Sequence, residues 1–429
     1  MNKRLFFCVF AFSMAAAQAS AQSGTSSPYS QFGLGVLSDR SQGFNRGMNS
    51  AGLALRRGNI VNTLNPASYS AVDSLTMIFD MGLSGKVTSY KEGSVRENVR
   101  KSDFEYAVGA FRLMPNVGMS FGILPLSNIG YEYSTSTYLR ESNITVAENY
   151  SGDGGLRQAF IGAGWRVLKP LSIGVNAAYL WGGYDRSVTT SSSESSLRTL
   201  SKHYEATVSS YNLEVGIQWQ QRLTKRDLLT LGATWGVGHK LGADPTCSIL
   251  TIDAQTGVSD TTRLTVANGL QLPTSIGVGA TWEHSQKLVF AADFTLQKWG
   301  SVDFPAYDER SSQFLLLPNL LKDRRAVNVG VDYVPGAMSR RLLSRVHYRC
   351  GAGMATSYYK VNGADGPKEF SVSAGFGIPL QNSYNNRSVL NISGQWARTS
   401  ATDLITENVF RINIGLTFNE RWFAKWKVD

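Results

Sequence analysis

Alternation with a period of two dominates this chain. From Phe410 to Asn419 it reads Phe-Arg-Ile-Asn-Ile-Gly-Leu-Thr-Phe-Asn, so Phe410, Ile412, Ile414, Leu416 and Phe418 share one face, and Arg411, Asn413, Thr417 and Asn419 the other. The same pattern recurs from Leu213 to Gln220, Val327 to Tyr333 and Leu390 to Trp396. Strands are expected near 75–90, 103–114, 116–137, 156–168, 170–188, 203–223, 226–243, 271–284, 287–300, 324–336, 344–360, 368–382, 387–400 and 407–422. That is about 14 in all, an even number like that of bacterial membrane barrels.

A soluble sandwich alternates too, so the connections carry the decision. They are brief at 114–116, 168–170, 224–226 and 284–286, and long and polar at 138–155, 189–202, 244–270 and 301–323. Short turns on one rim and long loops on the other mark an outer-membrane barrel, with the short turns periplasmic. Trp165, Trp181, Trp219, Trp235, Trp282, Trp299 and Trp422 fall near strand ends or on apolar faces, where interfacial girdles are built. The expected fold class is all-β, a transmembrane antiparallel barrel.

Ahead of the first strand lies a stretch with no such pattern. Gly47 to Gly52 and Arg56 to Asn59 are Gly-rich and polar, and Asn65-Pro66-Ala67 follows. A segment with no core of its own, fused to the first strand of a large β structure, is either buried inside that structure or disordered.

Composition narrows the classes further. With 42 Gly, nine Trp and only 12 Pro, the chain suits many strands with small residues at close approaches. The net charge of +10 is scattered through turns and loops and forms no stripe or basic helix. Contact with anionic lipid or lipopolysaccharide fits that distribution, and nucleic acid does not. Lys3 and Arg4, the apolar run Leu5 to Met14 and then Ala19-Ser20-Ala21 have the form of a signal peptide over 1–21, cleaved after Ala21. The apolar run is too short for a membrane anchor. Cys247 and Cys350 lie far apart and are expected to be free.

Candidate chemistry is sparse. Gly118-Met119-Ser120-Phe121-Gly122 matches a hydrolase pattern, but that chemistry needs a strand-to-helix turn and here the strand alternation continues. A barrel phospholipase is the enzyme alternative; the expectation is no enzyme, with no catalytic residue, metal or cofactor. His203, His239, His284 and His347 are dispersed without metal-ligand spacing and read as rim or loop residues. Gly277-Val278-Gly279 gives room for a neighbour inside a strand. Glu214, Asp332 and Arg411 face the lumen as ordinary polar filling. Pro125 removes a ladder hydrogen bond from a long strand and marks either a simple bulge or the rim of an opening in the wall.

Together, the Gly-rich N-terminal stretch with Asn65-Pro66-Ala67, a strand directly after it, about 14 strands and a third strand broken at Leu124-Pro125-Leu126-Ser127-Asn128 resemble the FadL family of outer-membrane hydrophobic-compound transporters. Leu272 to Gly277, Arg325 to Tyr333 and Phe370 to Gly375 add to the similarity. Tyr29 to Gly35 and Asn62 to Tyr69 look like members from the Bacteroidota. The resemblance implies a hatch over 22–74 inside a barrel over 75–429, with Asn65, Pro66 and Ala67 as a gating element near the kink. Pro125, Ser127 and Asn128 would form the kink and its lateral opening. It implies passive uptake of fatty-acid-like molecules through the lumen and out sideways, with a hydrophobic ligand or lipid as partner. The alternative is a non-transporting accessory subunit of an outer-membrane protein secretion or assembly complex, with other outer-membrane proteins as partners.

Overall fold

The computed structural model describes residues 24–140, 143–194, 197–253, 255–380 and 388–420. The expected signal peptide and Trp422 lie outside them. The main sheet has seventeen strands. Three of these, Val36–Leu37, Thr246–Ile252 and Ser259–Thr265, are additions to the wall. The remaining 14 form it: β1 (Met77–Glu92), β2 (Val95–Met114), β3 (Val117–Leu139), β4 (Ile144–Arg166), β5 (Leu171–Ser192), β6 (Thr199–Arg222) and β7 (Asp227–Gly236), then β8 (Ser275–His284), β9 (Leu288–Gln297), β10 (Arg324–Tyr333), β11 (His347–Thr356), β12 (Lys368–Leu380), β13 (Ser388–Ser400) and β14 (Thr406–Glu420). Each pairs antiparallel with the next in sequence, and β1 pairs with β14 from Met77↔Glu420 to Lys91↔Thr406, so the sheet closes.

Closure satisfies the backbone, and the alternation then sorts the side chains. In β14, Phe410, Ile412, Ile414 and Phe418 are exposed outward, while Asn413, Thr417 and Asn419 are buried inward. Val215, Ile217 and Trp219 of β6, and Val327 and Val329 of β10, continue this apolar outer belt. Among the described residues no helix is long and apolar enough to cross a membrane. The crossing is made by strands, and the belt places them in lipid. Phe418→Lys is therefore expected to impair assembly, because a lipid-facing cation costs about 2–4 kcal/mol near the midplane and less near the interface. Wild-type amounts of heat-modifiable, folded barrel in outer membranes would contradict that assignment.

Two expectations about loops are corrected. Residues 138–155 and 189–202 are mostly strand, because β3, β4, β5 and β6 run to 22–24 residues, more than twice the ten of β7 through β11. The polar stretches 144–155 of β4, 189–192 of β5 and 199–202 of β6 read as loop by composition, although their Thr, Val, Ile and Tyr suit a solvated strand. The 244–270 connection folds back as Thr246–Ile252 and Ser259–Thr265 on β6, and 301–323 forms the hairpin Phe304–Asp308 with Gln313–Leu317. The barrel thus rises on one side into a sheet well above the belt. Trp299 is a second correction: it is 2% exposed, packed among loops with Tyr358, and belongs to no girdle.

Candidate functional site

Residues 39–73 lie within the barrel, since their polar groups reach inward-facing partners around the wall. Arg46 pairs with Glu105 of β2 at 3.0 Å and donates to Asn413 of β14 at 2.9 Å. The Asp293 carboxylate of β9 accepts from the Gly52 and Leu53 amides at 2.6 and 2.9 Å. Arg57 reaches Asp332 of β10 at 3.2 Å, and Asp332 also holds His347 at 2.9 Å and Arg349 at 3.0 Å. Arg40 pairs with Glu214, and Arg56 donates to Ser172. Burial disfavours the Arg46 charge, yet Glu105 and Asp39 hold its pKa above the ordinary range. Arg56 has no such acid: burial, with Arg166 beyond it, pushes it down to about 10.

Asn65, Pro66 and Ala67 form the best-tethered part of this segment. Asn65 caps the 3₁₀ turn Pro66–Ala71, its Oδ1 accepting from the Ala67 amide at 3.1 Å. Its Nδ2 donates to the carbonyls of Leu53 at 2.9 Å and Ile217 of β6 at 3.2 Å. The turn rests on glycines: a Cβ at Gly174 would meet the Pro66–Ala67 backbone, and one at Gly216 would meet Asn65 Oδ1. Asn65→Ala removes the cap and the Nδ2 bond to the Ile217 carbonyl, while Gln218 still donates to the Leu53 carbonyl at 3.1 Å. A loss of about 1–2 kcal/mol is expected, read as faster hydrogen exchange of the Ala67 amide; unchanged protection would contradict it.

The kink residues are placed elsewhere. The β2–β3 ladder runs from Met114↔Val117 to Ala107↔Ile123 and stops. Above it, Val95–Tyr106 of β2 pair only with β1, and β3 from Leu124 upward pairs with β4, with a register shift between Pro125 and Ser127. The wall therefore has a seam between β2 and β3 that begins at the proline. Residues 24–38 strap it: Val36 and Leu37 pair with Asn128 and Ser127, the Ser38 amide donates to the Leu126 carbonyl at 3.0 Å, and the Gly130 amide donates to Ser30 Oγ at 3.1 Å. On the other bank, Ser26 meets Tyr90 of β1 at 2.8 Å, and Ser27 donates to Glu407 of β14. Ser127 and Asn128, just beyond Pro125, thus pair with Leu37 and Val36, and their side-chain hydrogen bonds, with Leu156 and Ser38, do not involve Asn65, Pro66 or Ala67. The turn and the kink share only an apolar cluster, through Tyr69 and Leu124.

Among the described residues, three spaces inside or beside the wall bear on passage. A central cavity of about 390 Å³ is lined by Lys86, Asp103, Glu105, Arg324, Glu369, Glu407 and Arg411 among others. A pocket beside the kink, lined in one part by Leu34, Leu37, Leu126 and Trp299 and in another by Arg40, Asn212 and Glu214, holds about 60 Å³. The seam above the strap encloses about 850 Å³. Toward the long-loop rim the lumen is filled by a packed core that includes Tyr29, Leu156, Leu180, Tyr184, Leu270 and Tyr358.

Ser120 is fully buried and donates to the Gly109 carbonyl at 2.9 Å. Among the described residues no group of His, Cys, Asp and Glu could hold a metal ion. Cys247 and Cys350 are free, as expected from their spacing.

The BamG family model matches residues 1–429. The chain belongs to the BamG family. Three solved structures similar to this BamG-family barrel are distant in sequence. The Pseudomonas putida toluene transporter TodX is 15% identical, with a TM-score of 0.61 over 91% of this chain and 100% of TodX. The Ralstonia pickettii toluene transporter TbuX is 14% identical, with a TM-score of 0.61 over 88% of this chain and 98% of TbuX. A Pseudomonas aeruginosa FadL homologue is 11% identical, with a TM-score of 0.61 over 89% and 99%. The BamG-family chain thus has the fold of FadL-type barrels. No curated protein sequence matches it.

Proposed function

We propose that this chain is an outer-membrane barrel that works as a partner-binding accessory subunit of a protein secretion or assembly complex, on an architecture shared with hydrophobic-compound channels. The observation that carries this reading is the charged central cavity. An apolar molecule crossing it would strip water from ionised groups without replacing their hydrogen bonds, which costs several kcal/mol per group. The pocket beside the kink is no substitute, because about 60 Å³ is less than half of the roughly 150 Å³ that admits a benzene ring. The hatch is tied by buried ion pairs on well-separated strands, an arrangement suited to a fixed filling.

Passive uptake of hydrophobic compounds is the second reading. It is favoured by the fold and by the seam that opens at Pro125, Ser127 and Asn128. In it Asn65, Pro66 and Ala67 hold the hatch, and displacement of the strap at Val36–Ser38 opens the wall. Equilibration of toluene and of a fatty acid across vesicles containing the purified barrel separates the two. The accessory-subunit reading expects rates equal to those of protein-free vesicles. Saturable flux that is lost when the strap is crosslinked to β3 would overturn it in favour of uptake.

A further inference from the structure

The seam has a second property, separate from any passage through the wall. Above the strap, β3 is an open sheet edge: among the described residues no strand pairs with it on the β2 side beyond Ser127 and Asn128. Backbone N–H and C=O groups point to alternate edges along a strand, and the contacts of the strap fix which residues face the seam. Leu126 presents its carbonyl to Ser38, and Gly130 presents its amide to Ser30. Continuing in steps of two, Glu132, Ser134, Ser136 and Tyr138 offer donors and acceptors to the seam. All four are exposed. Exposed edges of this kind are usually blunted by charge, proline or a covering element, yet here the cover stops at Gly130.

We propose that this edge is the docking site of an extended, basic segment of a partner protein, which adds to β3 as an antiparallel strand. The proposal rests on the partner-binding reading above and names the partner's chemistry. The edge already accepts one such strand, since Val36 and Leu37 pair with it antiparallel. The space suits the occupant: about 850 Å³ open beside the edge, and eight residues from Glu132 to Leu139 give roughly 26 Å of strand at about 3.3 Å per residue. Charge selects the side chains. Glu92, Glu97, Glu132 and Asp153 outnumber Arg100 and Lys101 on the lining. A basic segment complements that balance, whereas a second copy of this chain pairing edge to edge, or an anionic lipid headgroup, would bring negative charge to negative charge. Tyr131 and Tyr133, the latter stacked on Tyr150 at 4.9 Å, supply flat contact surface beside the ladder.

The test uses the full barrel in lipid nanodiscs and a fluorescent probe peptide of eight residues, Thr-Lys-Val-Lys-Thr-Val-Lys-Thr. Binding is expected to weaken at least tenfold when alternate amides of the probe are methylated, or when its Lys residues are replaced by Glu. It should weaken similarly in Ser134→Pro and in Ser136→Pro, each of which deletes one seam-facing donor at an edge that tolerates proline. Ser134→Ala should bind as wild type, and heat-modifiable mobility shows whether each variant has folded. Failure of the probe to bind, or indifference to methylation and to both prolines, overturns the proposal. So does crosslinking of Thr135→Cys to a second copy or to lipopolysaccharide. In cells, a folded Ser134→Pro barrel that stays in its native complex overturns the seam assignment alone. Absence of any complex with the wild-type chain overturns the partner-binding reading itself.

Discussion

Asp332→Ala should destabilise the folded barrel by about 3–5 kcal/mol, the range found when one partner of a buried charge pair is removed. The Asp332 side chain is fully buried and is the meeting point of Arg349, His347 and Arg57. Its loss leaves the Arg349 guanidinium buried with the Asn391 oxygen at 2.6 Å and the Phe44 ring, 3.8 Å from its centroid, neither of which neutralises it. It also frees Arg57 from the wall. Asp332→Asn removes the charge and keeps one acceptor oxygen, enough for Arg349 Nε, while its NH2 takes the place of the oxygen that accepts from Arg57, so it should cost less than alanine without being neutral. Urea unfolding of the refolded barrel, followed by tryptophan fluorescence, measures both variants. A change below about 1 kcal/mol in the alanine variant, the range of an exposed pair, would show that the network does not hold the hatch.

The second large effect concerns the floor under Asn65-Pro66-Ala67. Gly174 lies against the Pro66 carbonyl group and the Ala67 amide, all backbone atoms. No side chain can rotate away from a new Cβ there, so Gly174→Val forces the turn off β5. Overpacking of this kind costs about 1–3 kcal/mol. Because valine suits a strand, the wall itself should still form. Maleimide labelling of Ala67→Cys, a position with no exposure in the folded chain, should rise at least tenfold when Gly174→Val is added. Equal protection with and without valine would contradict the docking.

These two sites show what the sequence carries and where it is silent. The barrel was legible because lipid outside and polar filling inside enforce a strict alternation, visible in Phe410 to Asn419 and repeated around the wall. The first half of β4, the last residues of β5 and the first residues of β6 were hidden because above the membrane both faces meet water and the apolar half of the pattern disappears. The kink at Pro125 was legible from proline chemistry. Its partner was not: pairing of Val36–Leu37 with Ser127–Asn128 is a contact between two stretches with no shared pattern. Asn65-Pro66-Ala67 was noticed as a motif, yet its floor carried the stronger signal. Gly164, Gly174, Gly232, Gly330 and Gly351 sit at inward positions where the backbone of residues 48–70 passes. Glycine recurring on the inner face of successive strands reports a backbone lying against the wall. Asp332 was read as polar filling because Arg57 comes from a distant segment, and His347 and Arg349 from the neighbouring strand, with no pattern linking them to it.

The function proposed for this BamG-family barrel is to hold protein partners, with no passage of hydrophobic molecules. Native mass spectrometry of the chain extracted gently from its own outer membrane, scored for both proteins and bound small molecules, tests it most directly. The account predicts a stoichiometric complex with at least one other outer-membrane protein and no apolar ligand in the barrel. A monomer retaining a fatty-acid-like or aromatic molecule would contradict it.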